Sequence, residues 1–291
     1  MLYSFAAYAS WGLFPLYFKA VPVRPLEFLV HRIVWSVLLL YGVLAVKKRW
    51  AWIDQVRRSR TLALGFAASA ACLSVNWFIY IYAVTTGRVV DASLGYFINP
   101  LVSVLLGVVV LKERLRRLQW AAIALAAAGV IWLAVLVGEL PWIGLSLAVS
   151  FGTYGLLRKT AKLGAMEGLA LETTLLFPLA ALYLGWLVVQ GQSGFVAGSV
   201  LDRTLLLLSG PLTTGPLILF AAGARRIPLS LMGLLQYVAP TTQLLLGVLV
   251  WHEPFGHERA LGFALIWLGL AVYSAESLWT AQVLRLAKRA R

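Results

Sequence analysis

The stretch Pro100-Leu-Val-Ser-Val-Leu-Leu-Gly-Val-Val-Val-Leu-Lys-Glu113 returns 140 residues later as Pro240-Thr-Thr-Gln-Leu-Leu-Leu-Gly-Val-Leu-Val-Trp-His-Glu253, with half of the fourteen positions identical. In a chain so rich in Leu, Val and Ala, composition supplies roughly one or two such matches, so the excess marks an internal repeat. The same ungapped offset pairs Ser10 with Ser150, Gly12 with Gly152, Leu16 with Leu156, Lys19 with Lys159, Glu27 with Glu167 and Gly129 with Gly269.

Outward from these segments, apolar runs of about 20 residues alternate with short polar breaks, each long enough to cross a hydrocarbon core of about 30 Å. The expected spans are 2–20, 26–46, 62–86, 91–111, 117–137, 141–159, 166–189, 203–224, 229–250 and 260–279. Composition agrees: of 291 residues, 61% are hydrophobic and 12% charged, and the mean hydropathy is +0.86. Soluble domains do not reach such values. Five crossings per copy are an odd number, so the second copy enters from the opposite side. The predicted fold is therefore an all-α membrane protein of ten transmembrane helices in two inverted five-helix repeats, 1–137 and 138–280, followed by a basic tail, 281–291.

A net charge of +14 would suggest nucleic acid in a soluble protein. Here most of the 25 Lys and Arg fall in alternate connections: Lys47 to Arg60, Lys112 to Arg117, Arg158 to Lys162, Arg225 with Arg226, and Arg285 to Arg291. Lys19, Arg24, Arg88, Arg203 and Arg259 fall in the others. Positive charge collects on the cytoplasmic side, so both termini are expected there, and no nucleic-acid partner is needed. The first apolar run lacks a basic lead-in and a small-residue cleavage region, which reads as a retained helix. The single cysteine, Cys72, excludes an internal disulfide and is read as a core residue.

Pro100 and Pro240 lie roughly 14 to 17 Å into their helices at 1.5 Å per residue, near the bilayer midplane. Proline lacks an N–H, so the carbonyls of Tyr96 and Gln236 lose their helical donors at matched depths. Asn99, Tyr237 and Gln243 stand beside them. A central polar cavity would satisfy these groups, and Tyr96, Asn99, Pro100, Gln236, Tyr237, Pro240 and Gln243 are the predicted substrate-binding set. Asn76 and Tyr80, with Tyr82, extend it along the third span.

Arg32 and Glu172 hold equivalent repeat positions with opposite charge. Each lies about 9 Å inside its helix from opposite faces, leaving roughly 12 Å between them along the membrane normal. Separate roles, one near each mouth of a pathway, are expected; together with His31, which can titrate near neutral pH, they are the candidate gate or coupling residues. Glu27, Asp91 and Glu167 fall in first helical turns, where carboxylates favour the positive dipole end. Glu113 and Glu253 are expected to engage basic loop residues. Small residues at helical spacing, Gly65 with Ser69 and Ala121 with Gly129, predict close packing. No metal-ligand cluster, phosphate loop or nucleophile–base grouping is visible, so neither a cofactor nor an enzyme is indicated.

Four segments, Trp11-Gly-Leu-Phe-Pro-Leu-Tyr-Phe-Lys19, Leu26-Glu-Phe-Leu-Val-His-Arg-Ile-Val-Trp-Ser36, Ala92-Ser-Leu-Gly-Tyr-Phe-Ile-Asn-Pro100 and Gly233-Leu-Leu-Gln-Tyr-Val-Ala-Pro240, resemble the RarD group of EamA transporters, within the drug/metabolite transporter superfamily. The resemblance runs from about residue 3 to 278. It implies ten helices, a bacterial inner membrane, export of a small molecule, and a cavity lined from helices 1, 3, 4, 6, 8 and 9; the group is often labelled as chloramphenicol permeases. Two departures stand out: Thr85 and Thr86 replace an Asn pair, and members of the group begin several residues earlier, which places the expected natural start upstream.

The predicted function is a secondary transporter moving a drug-like molecule or metabolite by alternating access, with the lipid bilayer as its medium. No ATP motif is present, so protons, another ion or the solute's own gradient are the candidate driving forces. Two other readings use the same polar groups. A membrane-embedded lipid flippase or enzyme would need a lipid-accessible groove or reactive constellation. A non-transporting sensor or scaffold would use the groups for packing.

Overall fold

The computed structural model describes residues 1–21, 23–85, 89–137, 142–250 and 256–289, and among them every regular element is an α-helix. In chain order these are α1 (Leu2–Gly12), α2 (Phe14–Ala20), α3 (Pro25–Val46), α4 (Ala51–Arg58), α5 (Arg60–Thr85), α6 (Val89–Val109), α7 (Arg117–Val137), α8 (Trp142–Thr160), α9 (Ala165–Val189), α10 (Gly194–Ala197), α11 (Val200–Ala224), α12 (Leu229–Leu235), α13 (Val238–Leu249) and α14 (His257–Arg289). Expectations on Thr86, Arg88, Glu253 and Arg291 lie outside the described residues, as do the side chains of Lys19, Thr85, Asp91, Arg259, Arg285, Lys288 and Arg289.

Helices are what a long apolar chain must form where water is absent, because each backbone N–H and C=O is then satisfied within its own segment. By length and composition six stretches among the described residues are able to cross a membrane: Pro25–Val46, Arg60–Ala83, Arg117–Leu136, Ala165–Val189, Val200–Ala224 and Leu229–Leu246. Gly95–Val109 and Ala260–Glu276 are shorter apolar stretches. The outer surface is apolar, with Leu64, Leu105, Leu179, Leu182, Val189 and Leu268 all exposed. Such a surface suits hydrocarbon and not water.

Two short helices were not anticipated. α4 sits at the end of the bundle that carries the basic connections, with Asp54 in its first turn, Arg57 and Arg58 in its last, and Trp52 buried. The charges follow the helix dipole. α10 precedes α11, whose start is fixed by a capping box between Ser199 and Asp202. At the C-terminus, α14 continues through Arg289, so residues read as a tail from 281 extend its helix.

Proline accounts for two interruptions. Pro15 removes the donor for the carbonyl of Trp11, and the helix breaks between α1 and α2. The Gln243 amide nitrogen donates to that carbonyl at 3.2 Å. Between α12 and α13, Pro240 withdraws the donor for Gln236, and the Ala239 N–H takes its place at 3.2 Å. The Gln236 carbonyl therefore needs no cavity, contrary to the expectation for it.

Close approach of helices depends on small residues. A Cβ added at Gly233 of α12 would lie 2.6 Å from the Pro100 carbonyl oxygen and 3.0 Å from the Ser103 Cβ of α6. Gly129 likewise lets α7 meet the backbone of α14. Its partners on that face are the buried Ala122 and Ala126; Ala121 is exposed. Gly65 has open space where a Cβ would sit, so it is not a packing glycine. Gly233→Val should lower stability by roughly 1–3 kcal/mol, because backbone cannot yield as a side-chain tip can; a lower aggregation temperature of the detergent-solubilised variant than of wild type is the expected readout.

Candidate substrate site

Arg32 sits two turns into α3, where the apolar sequence Leu26 to Trp35 gives it no charged neighbour on its own helix beyond Glu27. Its Nε donates to the Thr213 hydroxyl of α11 at 2.8 Å. The guanidinium carbon lies 5.2 Å from the Trp77 ring centroid, 5.8 Å from Phe28 and 5.9 Å from Phe14. Cation–π contacts of this kind contribute about 0.5–2 kcal/mol each but leave the unit charge in place. The hydroxyls of Tyr17, Tyr80 and Tyr96 lie within electrostatic reach. Tyr17 itself donates to the Leu205 carbonyl of α11 at 2.5 Å, and Tyr80 meets Tyr96 edge to face at 6.2 Å. Among the described residues no carboxylate pairs with Arg32.

A cavity of about 240 Å³ opens against this residue, lined by Phe18, Phe28, Arg32, Trp77 and Tyr80 among others. It lies at the end of the bundle that holds the α2–α3 connection. Tyr96 is partly exposed nearby.

At the opposite end, Glu172 of α9 is fully buried. It accepts from Ser69 of α5, from Tyr154 of α8 at 3.4 Å, and from Arg158 of α8 at 3.5 Å. Arg158 also donates to the Ala165 carbonyl at 2.9 Å and stacks on Phe66. Arg158 was read as a basic loop residue; it is instead wholly buried. The reason is Glu172, which no helix in lipid could carry without a partner. Three helices are tied by this one charge pair. A smaller hollow of about 160 Å³, lined by Gly65, Ser69 and Lys162, lies between α5 and α8 at this end.

Between the two ends lie the residues around the prolines. Asn99 is buried with its carbonyl oxygen unpartnered, and Gln236 donates to Ser103 at 3.2 Å while its own side-chain oxygen has no partner. Each idle buried acceptor costs about 1–3 kcal/mol unless something else supplies a donor. Pro100 and Pro240 are buried beside them. Tyr237 is not aimed at a cavity: it is fully buried against Phe97, Phe263 and Ile266, and its hydroxyl donates to the Phe97 carbonyl at 3.2 Å. It leaves the candidate set, because its ring packs the junction of α12 and α13 against α6 and α14.

Residues 1–135 match the EamA-like transporter family. "Protein RarD" of Streptomyces exfoliatus is 48% identical over 284 residues, covering 97% of this chain and 90% of that protein. The chain belongs to the EamA family, in its RarD group. Transporter YojE of Bacillus subtilis is 44% identical, covering 94% of this chain and 93% of its own length. "Chloramphenicol-sensitive protein RarD" of Pseudomonas aeruginosa is 33% identical, covering the whole of this chain and 97% of that one. A crystal structure at 20% identity matches with a TM-score of 0.68, covering 94% of this chain and 97% of that chain, which extends the likeness of fold.

Within this family member several expected site residues turn out to be internal fasteners. Asn76 donates to the Leu147 carbonyl at 2.9 Å and to Ser150 at 3.1 Å, tying α5 to α8. His31 points away from Arg32: its Nδ1 accepts from Trp35 at 3.1 Å, its ring lies parallel to Trp35 and tilted against Phe195, and its Nε2 is 3.8 Å from Glu27. Glu27 stands in the first turn of α3 as expected, and its carboxylate there accepts the Gly194 N–H of α10 at 2.6 Å. Glu167 pairs with Arg49 at 2.9 Å. Glu113, expected to meet basic loop residues, lies within electrostatic reach of Lys159 and accepts the Leu229 and Ser230 N–H groups at 2.6 and 3.0 Å, at the start of α12.

The residues missed from sequence are Thr213, Trp77, Ser69, Tyr154 and Arg158. Arg158 carried a signal, since it ends an apolar run four residues after Tyr154 on one helical face. Glu172→Gln should cost about 3–5 kcal/mol by stranding Arg158, and the double variant Glu172→Gln with Arg158→Met should recover part of it. A double-mutant cycle of thermal unfolding in detergent measures both effects.

Proposed function

We propose that this protein is a secondary transporter in which ten spans, α1 with α2, α3, α5, α6, α7, α8, α9, α11, α12 with α13, and α14, form two inverted halves, 1–137 and 138–280. The halves rock about a site between them and carry a small drug-like molecule or metabolite across a bacterial inner membrane by alternating access. The observation that carries this reading is the contrast between the two ends. One holds a cavity lined by an arginine without a carboxylate, and the other is fastened by the buried Arg158–Glu172 pair. Alternating access needs that inequality, with the fastening released when the opposite end closes.

The basic connections are the cytoplasmic ones in this reading, so both termini face the cytoplasm and the Arg32 cavity faces outward. In a background with Cys72 replaced by Ser, Gln192→Cys should react with a membrane-impermeant maleimide added to intact cells, and Arg57→Cys should react only after the cells are opened. The reverse pattern would invert the topology.

Asn99 and Gln236, with their idle oxygens near the prolines, are proposed to meet the solute as it passes between the halves; Tyr96 and Gln243 flank them. Asn99→Ala and Gln236→Ala should each reduce solute flux in proteoliposomes by tenfold or more, with expression and thermal stability near wild type. Wild-type flux in both variants would remove the amides from the pathway. The cavity is lined by one cation, aromatic rings and aliphatic side chains, with no nucleophile–base pair among them, which favours a solute pathway over an enzyme.

A further inference from the structure

Residues 140 apart in the sequence occupy contrasting surroundings. Arg32 of α3 reaches Thr213 of α11, and Glu172 of α9 is reached by Ser69 of α5. Around Glu172 the remaining charge is met by Tyr154 and Arg158. Counting back by the same offset, the positions of Tyr154 and Arg158 are held by Phe14 and Phe18. Phe14 lies against the Arg32 guanidinium, and Phe18 lines the same cavity. The second half therefore completes its buried charge with protein, whereas the first puts aromatic rings where the counter-ion would stand.

The geometry of Arg32 is open for a guest. Its Nε is occupied by Thr213, and among the described residues no hydrogen bond reaches either Nη group. The two Nη groups can present N–H donors to an oxyanion, and the guanidinium is the side chain best shaped for a carboxylate. The walls are Phe18, Phe28, Leu29, Trp77 and Ile81, with Tyr80 as a polar edge. An apolar or aromatic body beside a single anionic group fits these walls; a cation would face Arg32 unscreened.

We propose that Arg32 is the counter-charge for a small organic anion, a carboxylate on an apolar or aromatic body, bound in the cavity between α2, α3 and α5. The proposal rests on the transport reading for its purpose but concerns binding at this one site. The solute thus supplies to Arg32 what Arg158 supplies to Glu172.

The test titrates the purified full-length protein in detergent with sodium benzoate, benzamide and benzylamine at fixed ionic strength, following the fluorescence of tryptophan, since Trp77 lies over Arg32. Benzoate should bind saturably with a Kd at least tenfold below that of benzamide, and benzylamine should bind more weakly than either. Arg32→Gln should abolish the preference for benzoate, Arg32→Lys should retain part of it, and Arg24→Gln, at an exposed arginine, should keep all of it. Equal affinity of wild type for benzoate and benzamide overturns the proposal without recourse to any variant; so does an undiminished preference in Arg32→Gln. Proteoliposome flux separates this from the broader reading. Flux of neutral or cationic solutes with no anion preference overturns the anion assignment and leaves transport standing, whereas benzoate binding with no flux of any solute above empty liposomes supports the site and overturns transport.

Discussion

A charge or an amide inside a bilayer has no water to turn to, so the protein must supply every partner it needs. That constraint decides where each polar side chain of this chain can stand. Glu172 draws Arg158 out of an expected loop into the interior, and with it Ser69 and Tyr154, so that α5, α8 and α9 are held at one end by a single buried pair. Asn76, Glu27 and Glu113 obey the same rule by bonding carbonyls, hydroxyls or N–H groups of neighbouring helices. Most polar groups in the bundle are fasteners.

The exceptions stand out against that background. Arg32 has one neutral hydroxyl and three rings where Glu172 has a full complement, and the Asn99 and Gln236 oxygens are idle, as are the buried hydroxyls of Ser4, Tyr8 and Thr214. The aromatic cage around Arg32 makes the bare cation tolerable when the cavity is empty, through the negative faces of the rings. It does so without the strength of a carboxylate, which would close the site to any anion from outside.

Particular residues show how far one-dimensional reading reached. Pro240 interrupts its helix as expected, whereas α6 runs on through Pro100; and Ala239 repairs the Gln236 carbonyl within one turn, a local adjustment that spacing alone does not reveal. At Pro15 the Trp11 carbonyl is met by a local backbone N–H and also by the amide of Gln243, more than two hundred residues away. His31 and Arg32 are adjacent in sequence yet face different neighbours, one toward Trp35 and Phe195, the other toward Thr213, because successive residues on a helix are about 100° apart. Tyr237 and Asn76 looked like pathway residues by depth, and both are consumed by packing.

By itself the sequence determined the all-helical class, the apolar exterior, the family and the depth of each polar residue along its helix, since these depend on periodicity, composition and rise per residue. Which polar groups meet, and which are left bare, was decided only by tertiary structure. Depth is a property of one helix, but a partner is a property of the rotation and closeness of two. Closeness was set by small residues such as Gly233, and rotation by the aromatic and aliphatic faces that each helix buried.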